Sequence, residues 1–268
     1  IAAGDQSATS LRSFTIEDGY GENIGDEDDY LQIRVTYNHP STYVDISPTG
    51  SIVSLDLGCT AVEAPINIRN SGTPAAGEYA VQIKGVDLGT INVYKGVVGI
   101  GVEPGDVTTE ITNLFVSHKT EAGKASDAQV TIGAGVEGPA SAAITSIRQI
   151  GGKIWNNSAA TVTALDVTDG EYHQTDGLWT TAIFSGSSKI FPRDLGTCGT
   201  TKLYGTSKVT HFGLNAIAYT NLLLNPGVTW IDKQLRNTHA AAKIEIPGGL
   251  GSVNLDMGTN IDIHVTAS

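Results

Sequence analysis

The sequence predicts an all-β chain, most of it wound as a parallel, right-handed β-helix, and three observations predict this. Glycine is frequent, at 32 of 268 residues, amid plentiful Thr, Val, Ile and Ala; such a mix suits strands joined by tight turns. No stretch keeps a 3.6-residue apolar period long enough to form a convincing helix. The third observation is a loose repeat: AITSIRQIGGKIWN at 143–156 is echoed 18 residues later by TVTALDVTDGEYHQ at 161–174, which keeps apolar beads and a glycine and little else.

The glycines of these strand-turn units are Gly152, Gly170, Gly186, Gly205, Gly227 and Gly249, at intervals of 18, 16, 19, 22 and 22. Upstream of them lie Ile147, Leu165 with Val167, Ile183 with Phe184, Leu203, Leu222 with Leu224, and Ile244 with Ile246. Downstream lie Ile154, Tyr172, Ile190, Val209, Ile231 and Val253. A leucine-rich repeat needs Asn and Leu at fixed places that are not occupied so here, and a propeller blade needs about twice this period. An antiparallel meander gives no reason for the same apolar order to recur. In a parallel solenoid each position lies above its counterpart one coil earlier. Inward beads then form one continuous core, and glycine takes the corners that need φ > 0.

Taken in order, the elements begin with a strand-rich N-terminal region, residues 1–79. There LQIRVTY (31–37), SIVSLDLG (51–58) and INIRNSG (66–72) are strands set among polar loops. The β-helix is expected over 80–268. It starts with closely spaced strands in VQIKGVDLGTINVYKGVVGIGV, followed by EITNLFV (110–116) and AQVTIGAGV (128–136). The spacing of 18 also places Asp166 above Arg148 and Glu171 above Lys153. Stacked strands sit about 4.8 Å apart, so both pairs bring opposite charges together, the favoured arrangement for adjacent strands.

Composition narrows the function. A net charge of −12, from 28 acidic against 16 basic residues, argues against a nucleic-acid surface and against anionic membranes. No apolar run approaches the roughly 18 residues of a membrane helix, and the opening IAAGDQSATS lacks the basic and apolar segments of a signal peptide. Cys59 and Cys198 are one distant pair and no disulfide framework; two buried free thiols are expected, consistent with synthesis in a reducing cytoplasm. Asn156-Asn157-Ser158 fits a glycosylation sequon too short to mean much.

Candidate chemistry is sparse. Asp166, Asp169, Glu171 and Asp176 form the densest acidic cluster of the repeat, and Trp179 could stack on a sugar; glycoside hydrolysis needs two carboxylates about 5–9.5 Å apart. Asp169 is better read as a turn residue, and Asp166 and Glu171 already have cationic neighbours in the register. His39, His118, His173, His211, His239 and His264 are scattered, with no metal-binding pair. GAGVEG at 133–138 matches GxGxxG, but a further rung follows it where a phosphate-binding helix would be needed. Trp155, Trp179 and Trp230 read as core caps or subunit contacts in preference to a carbohydrate platform. GDEDDY at 25–30 lacks the ligand spacing of an EF-hand and reads as a solvated turn. No enzyme activity, cofactor or metal is expected.

From about residue 45 onward, the order of motifs resembles a group of bacteriophage virion-associated β-helix proteins. The resemblance rests on SLDLG (54–58), INIRNSG (66–72), GEYAVQIKG (77–85) and VTIGAG (130–135). It continues through FPRDLGTCGTTKLYG (191–205), LLLNPGVTWID (222–232) and SVNLDMGTN (252–260). It implies a structural role on the virion: a head decoration, or cement, protein that binds the major capsid protein or another virion protein, made in the host cytoplasm, with a homotrimer as the usual assembly. The alternative is a tailspike or receptor-binding protein that binds or cleaves host glycans. Loops adapt to a partner more readily than coils do. The expected docking residues are therefore Asp26, Asp28, Asp29, Tyr30, His39 and Tyr43 in the N-terminal region.

Overall fold

The computed structural model describes residues 13–17, 31–35, 43–47, 55–60, 65–68, 77, 79–102, 108–116, 128–133, 142–193, 197–211, 217–232, 240–241, 244–245 and 254–256. No helix occurs among them, and their strands pair in parallel.

The chain lays down two strands per coil. The first coils are β1 (Ser13–Glu17) with β2 (Leu31–Val35), β3 (Tyr43–Ser47) with β4 (Leu55–Thr60), and β5 (Ile66–Ile68) with β6 (Val81–Val86). Next come β7 (Leu88–Val93) with β8 (Gly96–Ile100), and β9 (Thr109–Val116) with β10 (Ala128–Ile132). Two long strands, β11 (Ala142–Asn156) and β12 (Thr161–Gln174), each supply both halves of a coil. They are followed by β13 (Leu178–Phe184) with β14 (Lys189–Pro192), β15 (Thr197–Leu203) with β16 (Lys208–His211), and β17 (Ala218–Leu224) with β18 (Thr229–Asp232). Short strands β19 (Ala240–Ala241), β20 (Ile244–Glu245) and β21 (Asn254–Asp256) extend the stack.

Each strand pairs with its counterpart one coil away, so two ladders run along a β-solenoid. One joins β1, β3, β5, β7 and β9 to the first half of β11. It goes on through β12, β13, β15 and β17 to β19 and β20. The other ladder joins β2, β4, β6, β8 and β10 to the second half of β11. It continues through β12, β14, β16 and β18 to β21. Both ladders cross residue 80 without interruption, since β4 pairs with β6 and β5 with β7. The described strands before residue 80 are coils of the same solenoid.

The core is built of columns. In the second ladder Val98, Val130, Ile154, Tyr172, Ile190, Val209 and Trp230 stack in register, all buried. In the first, Ile91, Leu114, Ile147, Leu165 and Ala182 do the same. Each large aliphatic side chain so buried contributes about 1.5–3 kcal/mol. Two expected beads face outward instead: Ile183 lies between Asp166 and Lys202, and Ile231 sits beside a fully buried Trp230. The reason is alternation: Phe184 and Trp230 take the inward positions, and their neighbours must then point out.

Strands of the first ladder share a burial pattern in which two consecutive residues are open to solvent, Thr112-Asn113 in β9, Thr163-Ala164 in β12 and Thr180-Thr181 in β13. A flat strand alternates, so a double outward step marks a bend, and one ladder thereby makes two faces. The corner into the second ladder is a tight turn. In Ser185–Ser188 and Tyr204–Ser207 the second residue is glycine, Gly186 at φ 59° and Gly205 at φ 64°, and the last N–H donates to the first carbonyl at 3.2 and 3.3 Å. In Asn225–Val228 the same corner is made with Pro226 second and Gly227 third at φ 96°, a type II turn. These glycines stack so closely that a Cβ on Gly227 would lie 2.7 Å from the Gly205 carbonyl oxygen.

Candidate functional site

The densest chemistry among the described residues lies on the outer face of the second ladder, across β11, β12, β14 and β16. One column there is polar. Gln129, Lys153, Glu171, Lys189, Lys208 and Thr229 follow one another in register. Glu171 is held from both sides, by Lys153 Nζ at 3.3 Å and Lys189 Nζ at 3.4 Å. Burial alone would raise the Glu171 carboxyl, but the hydrogen bonds and charges of the two lysines outweigh it and hold its pKa below the usual carboxylate range.

Two residues further along each strand, on the same face, runs an aromatic column. Trp155 stacks on His173 with ring centroids 5.6 Å apart, and His173 on Phe191 at 4.5 Å. The interplanar angles are 21° and 17°, so the rings spend their faces on one another and turn their edges outward. Such pairs contribute about 0.5–1.5 kcal/mol each beyond area burial. His173 Nε2 is also 4.0 Å from Glu171. Burial between the rings lowers the His173 pKa; Glu171 opposes this, while Arg193 and Lys153 add to it. His173 is therefore neutral at pH 7.

The acidic cluster is dispersed into separate contacts. Asp169 Oδ1 accepts from the Gly170 N–H and from Ser187 Oγ, both at 2.8 Å, and Asp176 Oδ1 accepts from the Gly177 N–H at 2.6 Å. Glu171 lies in its lysine clamp. Asp166 is in register with Arg148, as the spacing of 18 predicts, but Arg148 lies over the Phe115 ring at 5.9 Å and makes no ion pair with it. Lys153–Glu171, the second expected pair, is formed.

The three tryptophans part company. Trp179 is buried and so offers no surface to a sugar; its Nε1 donates to Thr201 Oγ1 at 2.8 Å and its ring meets Phe184 edge-on. Trp230 is buried edge-on against Tyr219. Only Trp155 reaches the outer face. The sequon asparagine is also inside: Asn156 Nδ2 donates to Tyr172 OH at 3.2 Å and to Gln174 Oε1 at 3.0 Å, which leaves it closed to glycosylation in the folded chain. Cys198 is a buried free thiol, its pKa pushed up to about 12 by burial.

Of the residues expected to dock a partner, Tyr43 opens β3. Asp26, Asp28, Asp29, Tyr30 and His39 lie outside the described residues, as do residues 134–138 of the GxGxxG match. Among the described residues no group of three or more His, Cys, Asp or Glu side chains could hold a metal ion, and no helix is long and apolar enough to cross a membrane. The aromatic column escapes a reading confined to glycines and core beads, yet its signal is present: the interval of 18 that pairs Lys153 with Glu171 also links Trp155, His173 and Phe191.

No family model, curated protein or solved structure matches this chain.

Proposed function

We propose that this chain is a structural protein of a bacteriophage particle, a head-decoration protein that binds the shell and stabilises it by binding only the assembled state. The observation that carries the reading is the pair of uninterrupted parallel ladders. They pair the strand backbone along the stack and leave a stiff body whose inward columns are mostly apolar. The resemblance from about residue 45 onward supplies the particle. In this reading the major capsid protein is the partner, the chain is a homotrimer, and the contact is made through Asp26, Asp28, Asp29, Tyr30, His39 and Tyr43. A sugar platform of exposed ring faces, which the spike reading requires, finds little support in rings stacked on one another.

The test uses phage heads lacking this chain, to which the purified chain is added. The native chain should co-sediment with heads and raise their melting temperature. A variant with Asp26, Asp28 and Asp29 changed to Asn should bind at least tenfold more weakly while keeping its own melting temperature. If the native chain ignores heads and is found at tail tips, the decoration reading fails.

A further inference from the structure

We propose that the outer face of the second ladder binds a linear acidic polysaccharide laid along the solenoid axis. The starting point is a local reversal of charge. The chain carries −12 overall, yet among the described residues of β11, β12, β14 and β16 this face sets Lys153, Lys189, Lys208 and, just past β14, Arg193 around Glu171. Asp169 and Asp176 at its margins are tied to their own turns. Glu171 already serves Lys153 and Lys189, whereas Lys208 and Arg193 form no ion pair among the described residues.

The arrangement is also locally unfavourable without a ligand. Lys189 and Lys208 are register partners on adjacent rungs, about 4.8 Å apart in backbone, and like charges directly opposite destabilise a sheet. The neighbour of Lys208 on its other side is Thr229, which offers no negative charge. An anion spanning the two lysines removes the repulsion.

The aromatic column adds to the same potential. Stacked rings hide their electron-rich faces and expose their hydrogen-bearing edges, which carry the positive end of the ring quadrupole. Neutral sugars that pack on ring faces gain little here; carboxylates beside ring edges and ammonium groups gain more. The geometry is linear, with cations repeating along a straight ladder, and so it fits a polymer with regularly spaced charges. A single-stranded nucleic acid is the weaker match, because its bases need open ring faces to stack on. The negative charge elsewhere on the chain does not forbid the contact, since the Debye length is about 8 Å at physiological ionic strength.

Polygalacturonate is the probe, with dextran and oligo-dT as comparisons, measured by biolayer interferometry at about 50 mM and about 300 mM salt. Polygalacturonate should bind at low salt and weaken several-fold at high salt, and dextran should not bind. Lys208→Glu gives no surface ion pair away and sets a carboxylate beside Lys189, so the fold is retained; it should weaken binding by about fivefold or more. Thr220→Glu, on the bend of the other ladder, should leave binding unchanged. The proposal is overturned if polygalacturonate does not bind, if dextran binds as well, if oligo-dT binds more tightly, or if Lys208→Glu has no effect. None of these outcomes depends on whether phage heads are bound.

Discussion

Two columns one residue apart in the same strands obey different rules. The inner one reads Ile154, Tyr172, Ile190, Val209, Trp230; the outer one reads Lys153, Glu171, Lys189, Lys208, Thr229. The inner column changes size freely, from valine to tryptophan, but stays largely apolar and fully buried. Neighbouring rungs trade volume, so a tryptophan on one can be matched by smaller groups nearby. The outer column changes charge and keeps no size. Burial constrains one side to exclude water; the other side answers only to its neighbours and to whatever binds it. The solenoid fold is therefore set by one face of each strand, and function is free to use the other.

The largest effect should come from breaking the inner rule. Val167 is fully buried in β12, in register with Gln149 and Phe184. Val167→Asp buries a carboxylate with no partner and should cost several kcal/mol. Thermal denaturation should show a fall of about 10 °C or more, or loss of soluble protein. Thr168→Asp, next along the strand and partly exposed, should lie within about 0.5 kcal/mol of the parent. Equal effects of the two would mean that the inward assignment of Val167 is wrong.

A smaller effect separates two kinds of glycine. A Cβ on Gly199 would press into the carbonyl of Thr180 on the rung below, backbone that cannot move without disturbing the ladder. Gly77 has φ 91° and nothing within 4 Å of the added carbon. Gly199→Ala should therefore cost about 2–3 kcal/mol through overpacking, and Gly77→Ala only about 1 kcal/mol through backbone strain. Chemical denaturation of the two variants measures the difference, and the reverse order would show that the rungs can spread at β15.

These contrasts also mark how much was legible in the sequence. The spacing of 18 was enough to place Leu165 over Ile147 and Glu171 over Lys153, because stacking makes register a property of sequence intervals. It could not say which of two adjacent apolar residues turns inward, as at Ile183 and Phe184 or Trp230 and Ile231; that choice depends on where the strand bends, and a bend reverses the alternation. Nor could it show that the coils begin before residue 80, since wide gaps between strands hide a period that the ladders keep. The outer face was half legible. Charge complementarity marked Lys153 and Glu171, while Trp155, His173 and Phe191 matter only once stacking is known to bring them together.

The smallest effect concerns the outer columns alone, and pH separates their members. The folded pKa of His173 lies below the unfolded value near 6.5, so the unfolded chain binds more protons just below that pH. Stability is then full above about pH 7 and falls as pH drops from about 6.5 toward the native pKa. Glu171 titrates lower. Its folded pKa is depressed, so its contribution is present above about 4.5 and is lost as pH falls through the folded value. Both groups are partly exposed, and each contribution should stay below about 1 kcal/mol. His173→Phe keeps a ring between Trp155 and Phe191 and should flatten the melting temperature between pH 7 and 5. Glu171→Gln should flatten the curve below pH 4.5 and steepen it near pH 6, because the carboxylate that favours protonated His173 is gone. If both variants shift the whole curve without changing its shape, the columns act by packing and their charges are incidental to stability.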